Sequence, residues 1–191
     1  MKAVFLSAGV VNRDPRRIPS YPMAAREAVV ALTAAWLPHG ELVFGGHPAI
    51  SPLVEHAARC LDLLNRIHIY QSRYFEKLMP TAAGAFPNVH WTSAGHDLSE
   101  SLTLMRQEMI DSQDLRRNFH AAVFIGHIEG MEEELEILEQ GHPHAKVIPI
   151  ASTGATALHM WDCRIGLAEG RFRDELLHER RYRKMFRRLL G

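Results

Sequence analysis

The sequence predicts an α/β fold in which helices cover both faces of a Rossmann-like, doubly wound parallel sheet. Short apolar runs alternate along the chain with longer segments of helical period. An order of strand, helix, strand, helix is typical of parallel sheets with crossover helices. The 191 residues suffice for one domain with a full core and are too few for two large domains.

The predicted strands are short, rich in apolar residues and followed by small or polar residues. In chain order they are 3–10, 41–46, 66–72, 88–92, 121–126 and 146–153. The predicted helices carry apolar residues at helical spacing, and the first two have proline in their first turn. In chain order they are 22–38, 51–64, 97–112, 131–140 and 154–163.

The C-terminal segment differs in composition from the rest of the chain. Residues 171–191 hold eight basic and three acidic residues, with apolar residues between them. We therefore divide the chain into a Rossmann-like domain, 1–165, and a basic amphipathic C-terminal helix, 166–191. Packing of this helix on the domain or on a second subunit is favoured over contact with RNA or a membrane.

Charge and cysteine content limit the class of protein. The chain has 22 basic and 22 acidic residues, so a nucleic-acid partner is not expected. Its two cysteines, Cys60 and Cys163, form no CxxC pair, which fits a reducing compartment. The N-terminal apolar run lacks a cleavage pattern, and no apolar stretch is long enough to cross a bilayer. We expect a cytoplasmic protein without a membrane contact.

Small residues follow four of the six predicted strands. They are Ser7–Ala8–Gly9, Gly45–Gly46, Gly126 and Ser152–Thr153–Gly154. Parallel sheets bind ligands beyond the carboxyl ends of their strands, so these four clusters predict a ligand crevice at one edge. Glycine and serine are also common in ordinary turns between strand and helix, and a single cluster would favour that simpler interpretation.

Two of these turns have the form of an anion site. "FGGHPAISPLV" (44–54) and "FIGHIEGMEEEL" (124–135) each run from an apolar strand through glycine into a helix start. A helix N-terminus attracts phosphate, and glycine allows an anion to approach the backbone closely. We expect the amides around Gly126 and Gly130 to face a phosphate, and His47 and His127 to hydrogen-bond the phosphate or a base. Neither turn is a Walker loop or a GxGxxG fingerprint.

Taken together, "LSAG", "FGGHPAISPLV", "LTLMRQEM", "FIGHIEGMEEE" and "VIPIAST" resemble the SLOG superfamily over residues 2–163. This superfamily includes the Lonely Guy (LOG) phosphoribohydrolases, often mislabelled lysine decarboxylases, and nucleotide-sensing domains of bacterial conflict systems. Phe44, Gly45 and Gly46 match the opening of the LOG "YGGGxxGLMG" turn. In the "PGGxGTxxE" motif, Gly130 falls on the glycine of the "GT" pair and Glu134 on the glutamate.

The resemblance also has departures. His127 stands where the motif has its second glycine, Met131 replaces the threonine, and the loop is one residue longer. The LOG helix motif "MHxRK" is echoed only by "MRQEM", which displaces the arginine to Arg106.

The resemblance implies a nucleotide or nucleotide-derived ligand and leaves two functions open. One is a sensor domain, and the other is a LOG-like nucleoside 5′-monophosphate phosphoribohydrolase. In an enzyme, Glu134 or Glu133 would supply the catalytic carboxylate, and Arg106 would hold phosphate or pair with that glutamate. Acids in the first turn of a helix also gain about 0.3–1 kcal/mol each from its dipole, so these glutamates need no catalytic reason. The departures favour the sensor.

No cofactor is predicted. No metal is predicted either, because "HPH" at 142–144 has no accompanying HExxH or Cys/His set.

A homodimer or larger homo-oligomer is expected. Leu98, Leu102, Met105 and Met109 form an apolar stripe on helix 97–112 that we expect to be incompletely covered in a monomer.

Overall fold

A computed structural model describes residues 1–11, 16–77, 84–111, 118–127, 129–163 and 171–191. These residues form six strands in a single parallel sheet of order β4-β3-β2-β1-β5-β6. The strands are β1 (Ala3–Gly9), β2 (Glu41–Gly45), β3 (Ile67–Ser72), β4 (Asn88–Thr92), β5 (Phe119–Gly126) and β6 (Lys146–Ile150). The predicted α/β fold is thus confirmed.

Seven α-helices lie within the described ranges. They are α1 (Pro22–Trp36), α2 (Ser51–Arg59), α3 (Leu98–Asp111), α4 (Met131–Gly141), α5 (Ala155–Cys163), α6 (Arg171–His178) and α7 (Tyr182–Leu190). Most predicted boundaries agree with the structure to within two residues, and two ends were wrong by more. Helix 51–64 ends at Arg59, because Asp62 takes a left-handed backbone conformation with φ 56°. Strand 146–153 ends at Ile150, whose carbonyl accepts a hydrogen bond from Thr153 Oγ1 and closes a 3₁₀ turn.

Two apolar layers cover the two faces of the sheet, because side chains alternate along each strand. Val4 and Leu6 of β1 join a layer that includes α1, α2 and α7. Phe5 lies on the opposite face and packs with residues of α3 and α4. Met105 and Met109 are buried in this second layer, whereas Leu98 is 46% exposed. The predicted stripe is therefore covered at Met105 and Met109 and incompletely covered at Leu98, as expected.

The C-terminal helix α7 packs on α1 of the same chain. Its buried residues are Tyr182, Met185, Phe186 and Leu190, all in the layer that includes α1. The predicted domain boundary at residue 165 lies outside the described residues. Within those residues, no helix combines the length and the apolar character that a membrane crossing requires.

The order of the strands creates a switch point beside β1. The chain runs from β1 outward through β2, β3 and β4, then returns to β5 on the other side of β1. Gly9 and Gly126 pair at the carboxyl ends of these two strands. In open α/β sheets such a reversal opens a crevice at the carboxyl ends of the strands.

Candidate functional site

A cavity of about 480 Å³ lies at the carboxyl edge of the sheet, where β1, β2 and β3 end beneath α3. Seven of the residues predicted from sequence line it. They are Ser7, Gly45, Gly46, His47, Arg106, His127 and Glu134. Apolar side chains form much of the remaining wall, including Phe44, Leu102 and Met105. This combination of apolar wall and few polar groups is typical of small-molecule sites.

Glu134 is the most strongly perturbed group in the cavity. It lies in the first turn of α4 and is 7% exposed. Ser7 Oγ, on β1, donates a hydrogen bond of 2.5 Å to Glu134 Oε2. Burial raises the pKa of the Glu134 carboxyl to about 7, although the Ser7 hydrogen bond and the charge of Arg106 oppose this rise. The carboxyl can therefore give or accept a proton near neutral pH.

Arg106 joins α3 to the start of α4. Its Nη1 donates to Glu133 Oε2 at 2.6 Å, and its Nε lies 3.9 Å from Glu134 Oε1. Its Nη2 donates to the Glu129 carbonyl at 3.0 Å. The residue is 7% exposed, so it does not lie on a solvated face of α3. Of the two predicted uses of this arginine, the structure shows pairing with glutamate.

Glu133 takes a different position from Glu134. It accepts a hydrogen bond of 2.9 Å from Thr103 Oγ1 in addition to that from Arg106. Among the described residues that line the cavity, Glu134 is present and Glu133 is not. The sequence offers no reason to distinguish the two glutamates. In the structure, Glu134 is buried at the cavity wall, whereas Glu133 is half-buried and pairs with Thr103 and Arg106.

The turn after β5 does not aim its described amides at a ligand. Gly126 N–H donates to Thr153 Oγ1 at 2.9 Å, and His127 N–H donates to the Gly9 carbonyl at 3.2 Å. A side chain at Gly126, whose φ is 65°, would collide with that carbonyl. The prediction that these two amides face a phosphate is therefore wrong, because the chain itself uses both. Ile128 in the same turn lies outside the described residues.

Gly130 is the N-cap residue of α4 and has a φ of 84°. A Cβ at this position would collide with the guanidinium of Arg106. The glycine therefore makes room for the arginine, rather than for the anion that we predicted. His127 completes this side of the site, with Nδ1 in a short hydrogen bond to Thr156 Oγ1 at the start of α5.

The turn after β2 is closed by His47. Its carbonyl accepts the Ile50 and Ser51 N–H groups at 3.0 and 2.9 Å, and its Nδ1 accepts the Ala49 N–H at 3.1 Å. Burial lowers the pKa of His47, so the ring is neutral at pH 7. The amides that the sequence assigned to an anion at this helix start are used by His47.

The cluster after β6 serves the fold. Ser152 Oγ donates to the Glu179 carbonyl at 3.1 Å and lies 3.2 Å from the Tyr182 hydroxyl, next to α7. Thr153 Oγ1 holds both the Ile150 carbonyl and the Gly126 amide. Gly154 lies against the Pro19 carbonyl. None of the described lining residues of the cavity belongs to Ser152–Thr153–Gly154, nor is Gly9 among them.

Sequence reasoning missed several residues of the cavity wall, among them Gln71, Phe75 and Glu129. The sequence pattern of β3 could have identified Gln71 as a site residue. Ile67, Ile69 and Gln71 alternate on one side of β3, where the period of two predicts another apolar residue. A buried glutamine at the carboxyl end of a strand could have been selected on that basis.

Comparison with known families decides the relationship. The model of the SLOG cluster3 family matches residues 19–190, which is most of the chain. The chain belongs to the SLOG cluster3 family. A comparison with curated proteins found no match. Membership of the SLOG superfamily is thereby confirmed, and it points to a domain that binds a nucleotide-related ligand. The SLOG match extends through α7, the helix that covers α1.

Proposed function

We propose that this SLOG chain recognises a nucleotide or nucleotide-derived ligand in the cavity at the carboxyl edge of its sheet. In this proposal it acts as a sensor domain of a bacterial conflict or signalling system. The observation that carries the proposal is the buried Ser7–Glu134 pair, which faces a cavity of about 480 Å³ at the edge where such sheets bind ligands.

The polar groups of the cavity suit the sugar of the ligand. A carboxyl that is half protonated near pH 7 and a serine hydroxyl both pair well with ribose hydroxyl groups. Leu102, Met105 and Phe44 offer apolar surface for a base. The Gly126 and His127 amides, the Ile50 and Ser51 amides and the Arg106 guanidinium are used within the chain, so we place the ligand phosphate toward the open mouth.

A cavity-filling variant tests the proposal. At Gly45 a Cβ would lie 3.4 Å from Met105 Cε, so Gly45→Val tolerates the new Cβ while its methyl groups enter the cavity. Thermal-shift assays are run with nucleoside monophosphates, cyclic nucleotides and linear dinucleotides. The nucleotide ligand should raise the melting temperature of the wild type and leave that of Gly45→Val unchanged. Gly141→Val, at the exposed end of α4, is the matched control and should respond like the wild type.

Two results would contradict the proposal. One is a wild-type protein that no nucleotide stabilises at millimolar concentration. The other is a Gly45→Val protein that is folded and stabilised as strongly as the wild type, which would place the ligand outside this cavity.

A second candidate function, release of the base from a nucleoside 5′-monophosphate, is favoured by one observation. A buried carboxyl with a pKa of about 7 beside Arg106 suits proton transfer at neutral pH. In this reaction the N-glycosidic bond breaks, water adds at the anomeric carbon, and the base leaves with a proton. Glu134 would accept the proton of water or hold a ribose hydroxyl.

Chromatography separates the two candidates. Each common monophosphate is incubated with the wild type, Glu134→Gln and Glu136→Gln, the last an exposed glutamate on the same helix. Free base that appears with the wild type and Glu136→Gln but not with Glu134→Gln would establish the enzyme. Nucleotide binding without any free base would leave the sensor.

A further inference from the structure

Gln71 is a buried polar side chain whose hydrogen-bonding groups are not used by the described part of the chain. It lies at the carboxyl end of β3, is 5% exposed and lines the cavity. Its carboxamide atoms keep contact with the cavity and form no hydrogen bond with the residues that the structure describes. Polar groups inside native proteins are nearly always paired, so a ligand that enters the cavity would meet a carboxamide whose donor and acceptor are available to it.

The neighbouring strand is adapted to this side chain. A Cβ at Gly46 would collide with the Oε1 atom of Gln71 and would lie 3.1 Å from Ile69 Cγ2. Glycine at the end of β2 therefore leaves room for the carboxamide against the backbone. Gly46 and Gln71 both line the cavity, so the space that glycine creates is part of the site.

An aromatic ring that follows Gln71 closely in the chain also lines the cavity. Phe75 lies in a 3₁₀ turn that directly follows β3 and is half-buried. The turn is fixed by Ser72, whose Oγ accepts the Tyr74 N–H at 3.2 Å. Tyr74 also contacts the Phe75 ring edge-on, with centroids 5.4 Å apart. The aromatic ring and the carboxamide thus come from one strand end and its turn.

We propose that Gln71 and Phe75 form the base subsite, in which Phe75 stacks on a nucleobase and Gln71 reads its edge. The proposal rests on the function proposed above and names the residue that determines base specificity. A carboxamide offers a donor beside an acceptor, and it pairs in two hydrogen bonds with a base edge that carries the complementary pair. Stacking on an aromatic ring tolerates any base, so discrimination falls to Gln71.

The test is titration calorimetry with AMP, GMP, CMP, UMP and ribose 5-phosphate. Gln71→Met keeps the length of the side chain and removes both hydrogen-bonding groups. It should weaken the preferred monophosphate about fivefold to a hundredfold and level the ranking of the four bases. Ribose 5-phosphate, which has no base, should bind Gln71→Met with the same affinity as the wild type. Gln140→Met removes an exposed carboxamide on α4 and should change neither quantity.

The outcomes are distinguishable. An unchanged base ranking with Gln71→Met overturns the inference and leaves the proposed function intact. An equal loss for all five compounds assigns Gln71 a merely structural role and also overturns it. A wild type that binds none of the five overturns the inference, and the proposed function falls with it only if no cyclic nucleotide or dinucleotide stabilises the wild type either.

A second variant covers the case in which Gln71→Met does not fold. Gln71→Glu, measured at pH 8.5, replaces the donor–acceptor pair by two acceptors. It should shift the preference toward GMP, because guanine N1–H and N2–H present two adjacent donors. A preference identical to that of the wild type would overturn the inference.

Discussion

Replacing Glu134 by glutamine should remove most of the pH dependence of stability near neutrality. Burial raises the pKa of this carboxyl from 4.5 to about 7 in the folded chain. Between these values the folded chain retains a proton that the unfolded chain has lost, so stability is greatest below pH 4.5 and falls as the pH rises through 7. Glutamine cannot ionise and can still accept the hydrogen bond from Ser7.

The size of the change in the free energy of unfolding follows from the pKa shift of Glu134. Each unit of pKa corresponds to 1.36 kcal/mol, so the change from 4.5 to about 7 amounts to roughly 3 kcal/mol when the titration is complete. About 2–3 kcal/mol of this falls between pH 5 and pH 8. For a domain whose stability is about 5–15 kcal/mol, a change of this size is readily measured.

Urea denaturation at steps from pH 5 to pH 8.5 tests the reasoning. The free energy of unfolding of the wild type should fall relative to that of Glu134→Gln by about 2–3 kcal/mol over this range. Glu136→Gln, which alters an exposed glutamate of the same helix, should follow the wild type within about 0.5 kcal/mol. A difference between the wild type and Glu134→Gln that is constant with pH would refute the assigned burial and pKa.

Three further predictions concern the same structure. Gly126→Ala should lower the free energy of unfolding by about 1–3 kcal/mol, because its φ of 65° and the Gly9 carbonyl both oppose a Cβ; an unchanged urea midpoint would contradict this. Arg106→Met leaves Glu133 and Glu134 without their buried partner and should cost about 3–5 kcal/mol, and a melting temperature equal to that of the wild type would refute the pairing. We expect a homodimer or larger assembly, and sedimentation that gives only a monomer at micromolar concentration would remove that proposal.

The fold was predictable because local patterns and the global arrangement agree. The run Ala3–Gly9 is apolar enough to be buried on both faces, as a central parallel strand requires. The order of the strands was not predictable, because it depends on which distant segments pair. The pairing of Gly9 with Gly126, which sets the switch point, is such a long-range event.

The site was predictable in part. Ser7 and Glu134 were both selected from sequence, yet nothing in the sequence shows that they meet, since they lie on different elements 127 positions apart. Serine and threonine after β6 gave the same local signal as Ser7 after β1. Ser152 instead faces α7, a helix whose position depends on tertiary packing. Composition at a strand end indicates a turn, and only the packing around it decides whether a ligand can reach it.

Glycine at a strand end shows that something approaches the backbone closely, and the sequence does not identify what approaches. At Gly126 and Gly154 it is a backbone carbonyl, and at Gly130 it is the arginine of α3. At Gly46 it is the carboxamide of Gln71, a side chain that lines the cavity and has no partner among the described residues. The first three glycines are therefore explained by the fold. Gly46 makes room for a side chain whose own hydrogen bonds the described residues leave unmade, and a ligand edge with a donor beside an acceptor would complete them.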